Sequence, residues 1–227
     1  MSGPLKLIIF DVDGTLVDSQ NDIVAAMSHA FCKADLVAPS KSQVLSIVGL
    51  SLDHAMRTLA PDAHAETHLE MVEWYKEAYT QLRSQSGAAQ SSPLYPGVLR
   101  VLKELQNWPE TLLGIATGKS RRGLDKLMQA HDLYQYFINT QVSDHHPSKP
   151  HPAMLLAALE ETGVEPEHAV MIGDTSFDMD MAKAAGIRAI GVTWGYHSVE
   201  KLHAADTVID RFDDLTNALE HFMGNFK

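Results

Sequence analysis

Apolar residues along this chain fall into two alternating kinds of pattern. The first is a short, nearly unbroken run. Leu5-Lys6-Leu7-Ile8-Ile9-Phe10 is followed at a distance by Leu112-Leu113-Gly114-Ile115-Ala116, then Ala169-Val170-Met171-Ile172 and Ala189-Ile190-Gly191-Val192, with a weaker run at Tyr136-Phe137-Ile138. Runs of this length and β-branched content predict strands buried on both faces. The second pattern has helical spacing: Val98, Val101, Leu102 and Leu105; Leu124, Leu127 and Met128; Met154, Leu155, Ala158 and Leu159; Met179, Ala182 and Ala185. Strands alternating with helices predict a parallel sheet covered on both sides, a Rossmann-like α/β core.

The alternation breaks between Ser19 and Ser84, where only helical spacing occurs. Ile23, Met27, Ala30 and Phe31 share one face, and so do Leu69, Val72, Tyr75, Tyr79 and Leu82. Ser84-Gln85-Ser86-Gly87-Ala88-Ala89-Gln90-Ser91-Ser92-Pro93 then has the composition of a flexible linker. The expected organisation is an α/β core from 1–18 and 91–227, with an all-α cap and its hinge linker inserted at 19–90.

Composition narrows the partners. The 227 residues are 45% hydrophobic and 21% charged, and 18 Lys+Arg against 29 Asp+Glu leave a formal net charge of −11. That balance fits an ordinary globular protein and disfavours nucleic acid and polybasic membrane-surface binding. The single cysteine, Cys32, excludes an intramolecular disulfide and is expected as a small buried residue on a helix. No apolar stretch has the length of a signal peptide or a membrane span, which points to a cytoplasmic protein, monomeric or homodimeric.

The chemistry collects where the strands end. Asp11-Val12-Asp13-Gly14-Thr15 follows the first strand directly, and in open parallel sheets ligands bind beyond the carboxyl ends of strands. Two carboxylates one residue apart suit nucleophilic attack with proton transfer, or metal binding; a turn that merely contains two aspartates is the bland alternative. Thr117-Gly118-Lys119-Ser120 ends the next strand with a hydroxyl and backbone N–H groups at a helix start, an anion site or an ordinary cap. Lys149-Pro150 precedes the Met154 helix, and Gly173-Asp174-Thr175-Ser176-Phe177-Asp178 ends another strand with two acids one helical turn apart. A phosphate dianion near Asp11, Asp13, Asp174 and Asp178 meets like charges, each worth about 4 kcal/mol at 4 Å and an effective dielectric of ~20. One lysine does not offset them, so a hard divalent cation is expected, with Mg²⁺ the best fit.

These four motifs, in this order, resemble the haloacid dehalogenase superfamily, in its branch of small phosphatases similar to phosphoglycolate phosphatase. Leu94-Tyr95-Pro96-Gly97, Ala182-Lys183-Ala184-Ala185-Gly186 and Gly191-Val192-Thr193-Trp194-Gly195-Tyr196 extend the likeness. The resemblance implies that Asp11 is a nucleophile forming an aspartyl-phosphate. Asp13 would protonate the leaving oxygen and then activate water. Thr117, Gly118 and Lys149 would hold phosphoryl oxygens. Asp11, Asp174 and the Asp13 carbonyl would bind Mg²⁺, and Asp178 would orient that shell. Family dehalogenases lack an acid at the Asp13 position, so its presence favours phosphoryl transfer.

The expected activity is hydrolysis of a small, phosphoglycolate-like monoester. A sugar-phosphate mutase similar to β-phosphoglucomutase is the alternative, and a pyrophosphatase or nucleotide phosphatase a further one. A phospho-acceptor receiver module is disfavoured by the long helical insertion. Cap candidates for contacting the leaving group are Gly49 and Arg57, with Lys41 and His54 nearby.

Two other patterns fail on spacing. Gly114 to Ser120 has three residues between its glycines where a Walker loop needs four. Around Asp11, Leu16 and Asp22 stand where an EF-hand needs glycine and glutamate. The histidine-dense run His145 to His151 is expected to be a polar loop presenting Lys149.

Overall fold

The computed structural model describes residues 3–223. In chain order the elements are β1 (Lys6–Phe10), α1 (Gln20–Lys33), α2 (Lys41–Leu45), α3 (Leu52–Leu59), α4 (Ala65–Ser86), α5 (Ala88–Ser91), α6 (Val98–Leu105), β2 (Thr111–Thr117), α7 (Arg121–Ala130), β3 (Asn139–Val142), α8 (Ala153–Thr162), β4 (Ala169–Gly173), α9 (Ser176–Ala185), β5 (Arg188–Val192), β6 (Thr207–Ile209) and α10 (Leu215–Met223). The six strands form one parallel sheet in the order β3-β2-β1-β4-β5-β6. The α/β, Rossmann-like class read from the alternation is the observed one.

The unbroken apolar run of β1 is explained by burial on both faces. Ile8 and Phe10 join one core with α6, α7 and α10, whereas Leu7 and Ile9 join the other with α8 and α9. Phe10 stacks on Phe212 at 6.3 Å and meets Phe137 edge-on at 6.0 Å. A third core holds the inserted helices together, built from Ile23, Met27, Ala30 and Phe31 of α1 with Val44, Met56 and Met71. No helix among the described residues is long and apolar enough to cross a membrane.

Topology fixes where the chemistry sits. From β1 the chain builds outward through β2 and β3 on one side, then returns to add β4, β5 and β6 on the other. β1 is therefore the switch point, and ligands in such sheets bind beyond its carboxyl end. The register pairs Phe10 with both Ile115 and Ile172, so Asp11, the Thr117 turn and the Gly173-Asp174 turn emerge at one level.

Several expectations need correction. The run Tyr136–Ile138 is not a strand; Tyr136 N–H closes a turn onto Leu133, and the strand begins at Asn139. Asn139 and Gln141 are buried there because Gln141 donates to Asn139 at 3.2 Å and accepts from His146 at 2.8 Å. Such satisfied polar residues disguise an edge strand. The expected open linker at 84–93 is largely helical: α4 runs on to Ser86, Gly87 breaks it at φ 82°, and α5 follows. Its far end is tied down by Asp18 N–H donating to Pro93 O at 2.9 Å and by His131 at Ser92 O, 2.8 Å. Leu69 is 61% exposed, and the buried face of α4 instead carries His68, Met71 and Ala78. Cys32 is exposed, since it follows the buried Ala30 and Phe31 and turns off their face.

Candidate active site

The floor of the site is a buried ionic cluster. Lys149 Nζ lies 2.6 Å from Asp11 Oδ1 and 2.6 Å from Asp178 Oδ1, with all three side chains buried. Asp178 is locked by the first turn of α9. Its Oδ2 accepts from Thr175 N at 3.1 Å and Thr175 Oγ1 at 2.6 Å, while Thr175 Oγ1 caps Asp178 N. This is a reciprocal capping box with Asp in the third position. Asp174 accepts from Thr15 Oγ1 at 3.2 Å and from Tyr196 N at 2.7 Å. Gly14 makes that approach feasible: its φ is 84°, and a Cβ there would collide with the Asp174 carboxylate.

Asp11, Asp174 and Asp178 each offer an oxygen within 4.8 Å of the others. Asp11 Oδ2 is buried without a hydrogen-bond partner among the described residues. Burial raises the Asp11 carboxyl to about 7, with Lys149 opposing and Asp178 adding to the rise. Burial, then Asp11 and Asp178, also push Asp174 well above the usual carboxylate range. For Lys149, burial disfavours the charge, but Asp11 and Asp178 outweigh it and raise its pKa. Three carboxylates around one ammonium, with one oxygen left over, are under-compensated. That is the donor set a hard divalent cation takes, all oxygen and all anionic.

Asp13 belongs to a second, more open group. It accepts from Ser19 Oγ and pairs with Lys119 Nζ at 2.8 Å. Ser19 is held from the other side by Tyr196, whose hydroxyl accepts from Ser19 N at 3.0 Å. Thr117 Oγ1 accepts from Lys119 N at 3.2 Å, which leaves the Thr117 hydroxyl hydrogen to donate elsewhere. Above these groups lies a cavity of about 610 Å³, lined by Asp11, Asp13, Thr117, Gly118 and Lys119 from below. The inserted helices supply the roof, including Gly49, Tyr75, Tyr79 and Arg83.

The expected residues thus sort into three groups. Asp11, Asp13, Thr117, Gly118 and Gly49 meet at the cavity, and Lys149, Asp174 and Asp178 lie beneath Asp11, outside the cavity wall. Arg57 does not line the cavity; it is exposed and pairs at 3.1 Å with Asp53, which stands at the cavity edge. Lys41 and His54 are also exposed and do not line the cavity. The histidine-dense loop contributes no residue to a metal-capable cluster among the described residues. Lys119, Ser19, Tyr196 and Arg83 are site residues to which the sequence reading gave no role, although Lys119 and Tyr196 stand inside motifs it quoted. Lys119 had a signal, standing two residues past the strand-end Thr117.

A haloacid dehalogenase-like hydrolase profile matches residues 8–192. A protein named "Probable phosphatase IndB" from Dickeya dadantii is 35% identical over 217 residues, covering 93% of this chain and 92% of that protein. A phosphoglycolate phosphatase of Vibrio parahaemolyticus is 32% identical over 217 residues, covering 93% and 94%. The crystal structure of a hydrolase from Pseudomonas syringae superposes with a TM-score of 0.83 at 26% identity, over 95% of this chain and 98% of that one. The chain belongs to the haloacid dehalogenase-like hydrolase family. Its activity class within that family is phosphoric monoester hydrolase.

Proposed function

We propose that the protein hydrolyses a small, phosphoglycolate-like phosphate monoester through an aspartyl-phosphate on Asp11. The observation that carries this reading is the Asp11–Asp13 pair at the cavity floor. One carboxylate has an unpartnered oxygen, and the second, two residues on, stands in the same cavity. The relatives named phosphoglycolate phosphatase support the substrate class.

In the first step a carboxylate oxygen of Asp11 attacks phosphorus and the ester P–O bond breaks. Asp13 gives its proton to the leaving alkoxide, help worth roughly 10²–10⁴ in rate. In the second step Asp13 takes a proton from water, the resulting hydroxide attacks the phosphoryl group, and Asp11 is released with inorganic phosphate. Thr117 donates its hydroxyl hydrogen to a phosphoryl oxygen, and the Gly118 backbone lets that oxygen come close. Lys149 fixes the Asp11 carboxylate through its 2.6 Å contact and neutralises part of the arriving charge. Asp11, Asp174 and the Asp13 carbonyl would hold Mg²⁺, with Asp178 orienting the set, and the cation when bound supplies charge neutralisation at the transferring phosphoryl group. Residues 19–90 act as a cap over a core of 1–18 and 91–227, keeping bulk water from the reacting centre.

The test is to supply glucose 1-phosphate and a small acid phosphate separately, following free phosphate and isomerised sugar. Phosphate release from the small ester is expected, abolished by exhaustive chelation and restored by Mg²⁺. Efficient sugar isomerisation with little phosphate released would replace this reading with a mutase, and full activity after metal removal would remove the cation from it.

A further inference from the structure

Arg83 is the anomaly of the cavity roof. It sits near the carboxyl end of α4 and is only 7% exposed, yet Nε and Nη2 meet no hydrogen-bond partner among the described residues. No carboxylate of the described residues lies within ion-pair distance of it, in contrast to Lys119 and Lys149 below. Among the described residues its one side-chain hydrogen bond is long, from Nη1 to Gly123 O at 3.5 Å. Burying a guanidinium with bare N–H groups is costly, and buried charges are ordinarily paired.

The two bare nitrogens form one edge. Nε–H and the adjacent Nη2–H of a guanidinium point the same way and match the two oxygens of a carboxylate or phosphate, the strongest arrangement arginine makes. Nη1, on the other side, is the nitrogen bound to α7. The ring of Tyr79 fixes the position, with Arg83 5.7 Å from its centroid and Lys119 Nζ 5.3 Å from it. Arg83 therefore shares a wall with the lysine that pairs with Asp13, in the cavity that contains Asp11. About 610 Å³ is within the range of small-molecule sites and leaves room for more than a phosphoryl group.

We infer that Arg83 is a substrate-binding residue that receives a second anionic group, a carboxylate or a second phosphate, carried on the leaving group. The inference rests on the phosphomonoesterase reading above and adds the charge that a substrate must carry at its far end. Selectivity arises because an ester with a neutral end leaves the buried guanidinium unpaired. Arg83 has no part in bond making, so its effect is on binding.

The experiment is calorimetric titration of the purified protein, with Mg²⁺ present, using three non-hydrolysable probes. These are phosphonopropionate, a propylene-bridged bisphosphonate, and propylphosphonate as the neutral-ended control. Wild-type protein is expected to bind at least one dianionic-ended or carboxylate-ended probe about 30-fold more tightly than propylphosphonate, a typical worth for a charge-assisted pair. The tighter of the two names the group. Arg83→Met, which keeps the aliphatic stem, should lose that preference while binding propylphosphonate as wild type does, and Arg83→Lys should keep part of it. Equal binding of all three probes by the wild type overturns the inference and leaves the phosphatase reading intact, with no variant needed. A preference that survives in Arg83→Met also overturns it. A wild type that binds no phosphonate overturns both.

Discussion

The floor and the roof of the cavity are built on opposite principles. On the floor, Asp11, Lys149, Asp174 and Asp178 come from the ends of β1 and β4, the start of α9 and the turn before α8, and nearly every polar atom is engaged. On the roof, Arg83 is buried with two bare nitrogens beside the stacked rings of Tyr75 and Tyr79, 5.8 Å apart. The floor is held by strand register, so moving one residue disturbs the others. The part of the roof that carries Tyr75, Tyr79 and Arg83 hangs on α4, which packs through Met71 into a core separate from both cores of the sheet. On the proposed function, reaction and selection rest on separate hydrophobic cores, so the second should be able to change without loosening the first.

Three substitutions probe that division, beginning with the largest effect. Asp11→Asn is nearly isosteric and should reduce turnover by at least about 10³-fold, as loss of a nucleophile does, while unfolding stays cooperative. Activity assays on protein checked by mass spectrometry for deamidation decide it, and substantial residual turnover would show that the floor does not supply the nucleophile. Asp13→Ala should cost about 10²–10⁴ in rate. In single-turnover phosphorylation the loss should be smallest for good leaving groups; equal loss for good and poor ones would deny Asp13 the proton-transfer role.

The smallest effect belongs to the seam. His197 is buried between floor and roof, accepting from Ser176 N with Nδ1 at 3.1 Å and donating to Ser46 O from Nε2 at 3.1 Å. Burial lowers its pKa from the ordinary 6.5, with Lys201 assisting and the Ser46 carbonyl opposing. A histidine kept neutral by the fold contributes stability that is fully present above its unfolded pKa and is lost as pH falls through the lower folded value. The thermal midpoint of wild type minus that of His197→Gln should therefore be largest near pH 7.5 and shrink toward pH 5. A difference that is constant or grows on acidification would mean the bridge is not made by the neutral ring.

The floor was legible in the sequence because strand ends announce themselves. A continuous apolar run stopping abruptly at Asp11, Thr117 or Gly173-Asp174 marks both the strand and the face where it ends. The roof was hidden for a physical reason: Arg83 and Tyr79 acquire their meaning only when the end of α4 meets Gly123 and Lys119, and helical spacing records burial, not what lies opposite. Arg57 illustrates the converse, since a cation near a promising loop turned out to be exposed and not to line the cavity. Among the strands, β6 escaped notice because Thr207–Ile209 is only three residues long. β3 was placed too early, at Tyr136–Ile138, because two of its three buried side chains are amides in a hydrogen-bond chain and only Val142 is aliphatic.

Gly118 has a consequence beyond the residues around it in sequence. Its backbone needs no left-handed conformation. The constraint comes sideways: a Cβ at this position would stand 2.6 Å from Gly49 O and 2.7 Å from Leu50 O, across the cavity mouth. The two loops meet backbone to backbone, and on the cap-closing reading Gly118 is the stop against which the lid shuts. On that reading, a methyl group there would work like grit in a door frame. Because both obstructing atoms are backbone carbonyls, Gly118→Ala would have to push the Gly49-Leu50 loop away, a cost that falls on the state in which the two loops meet.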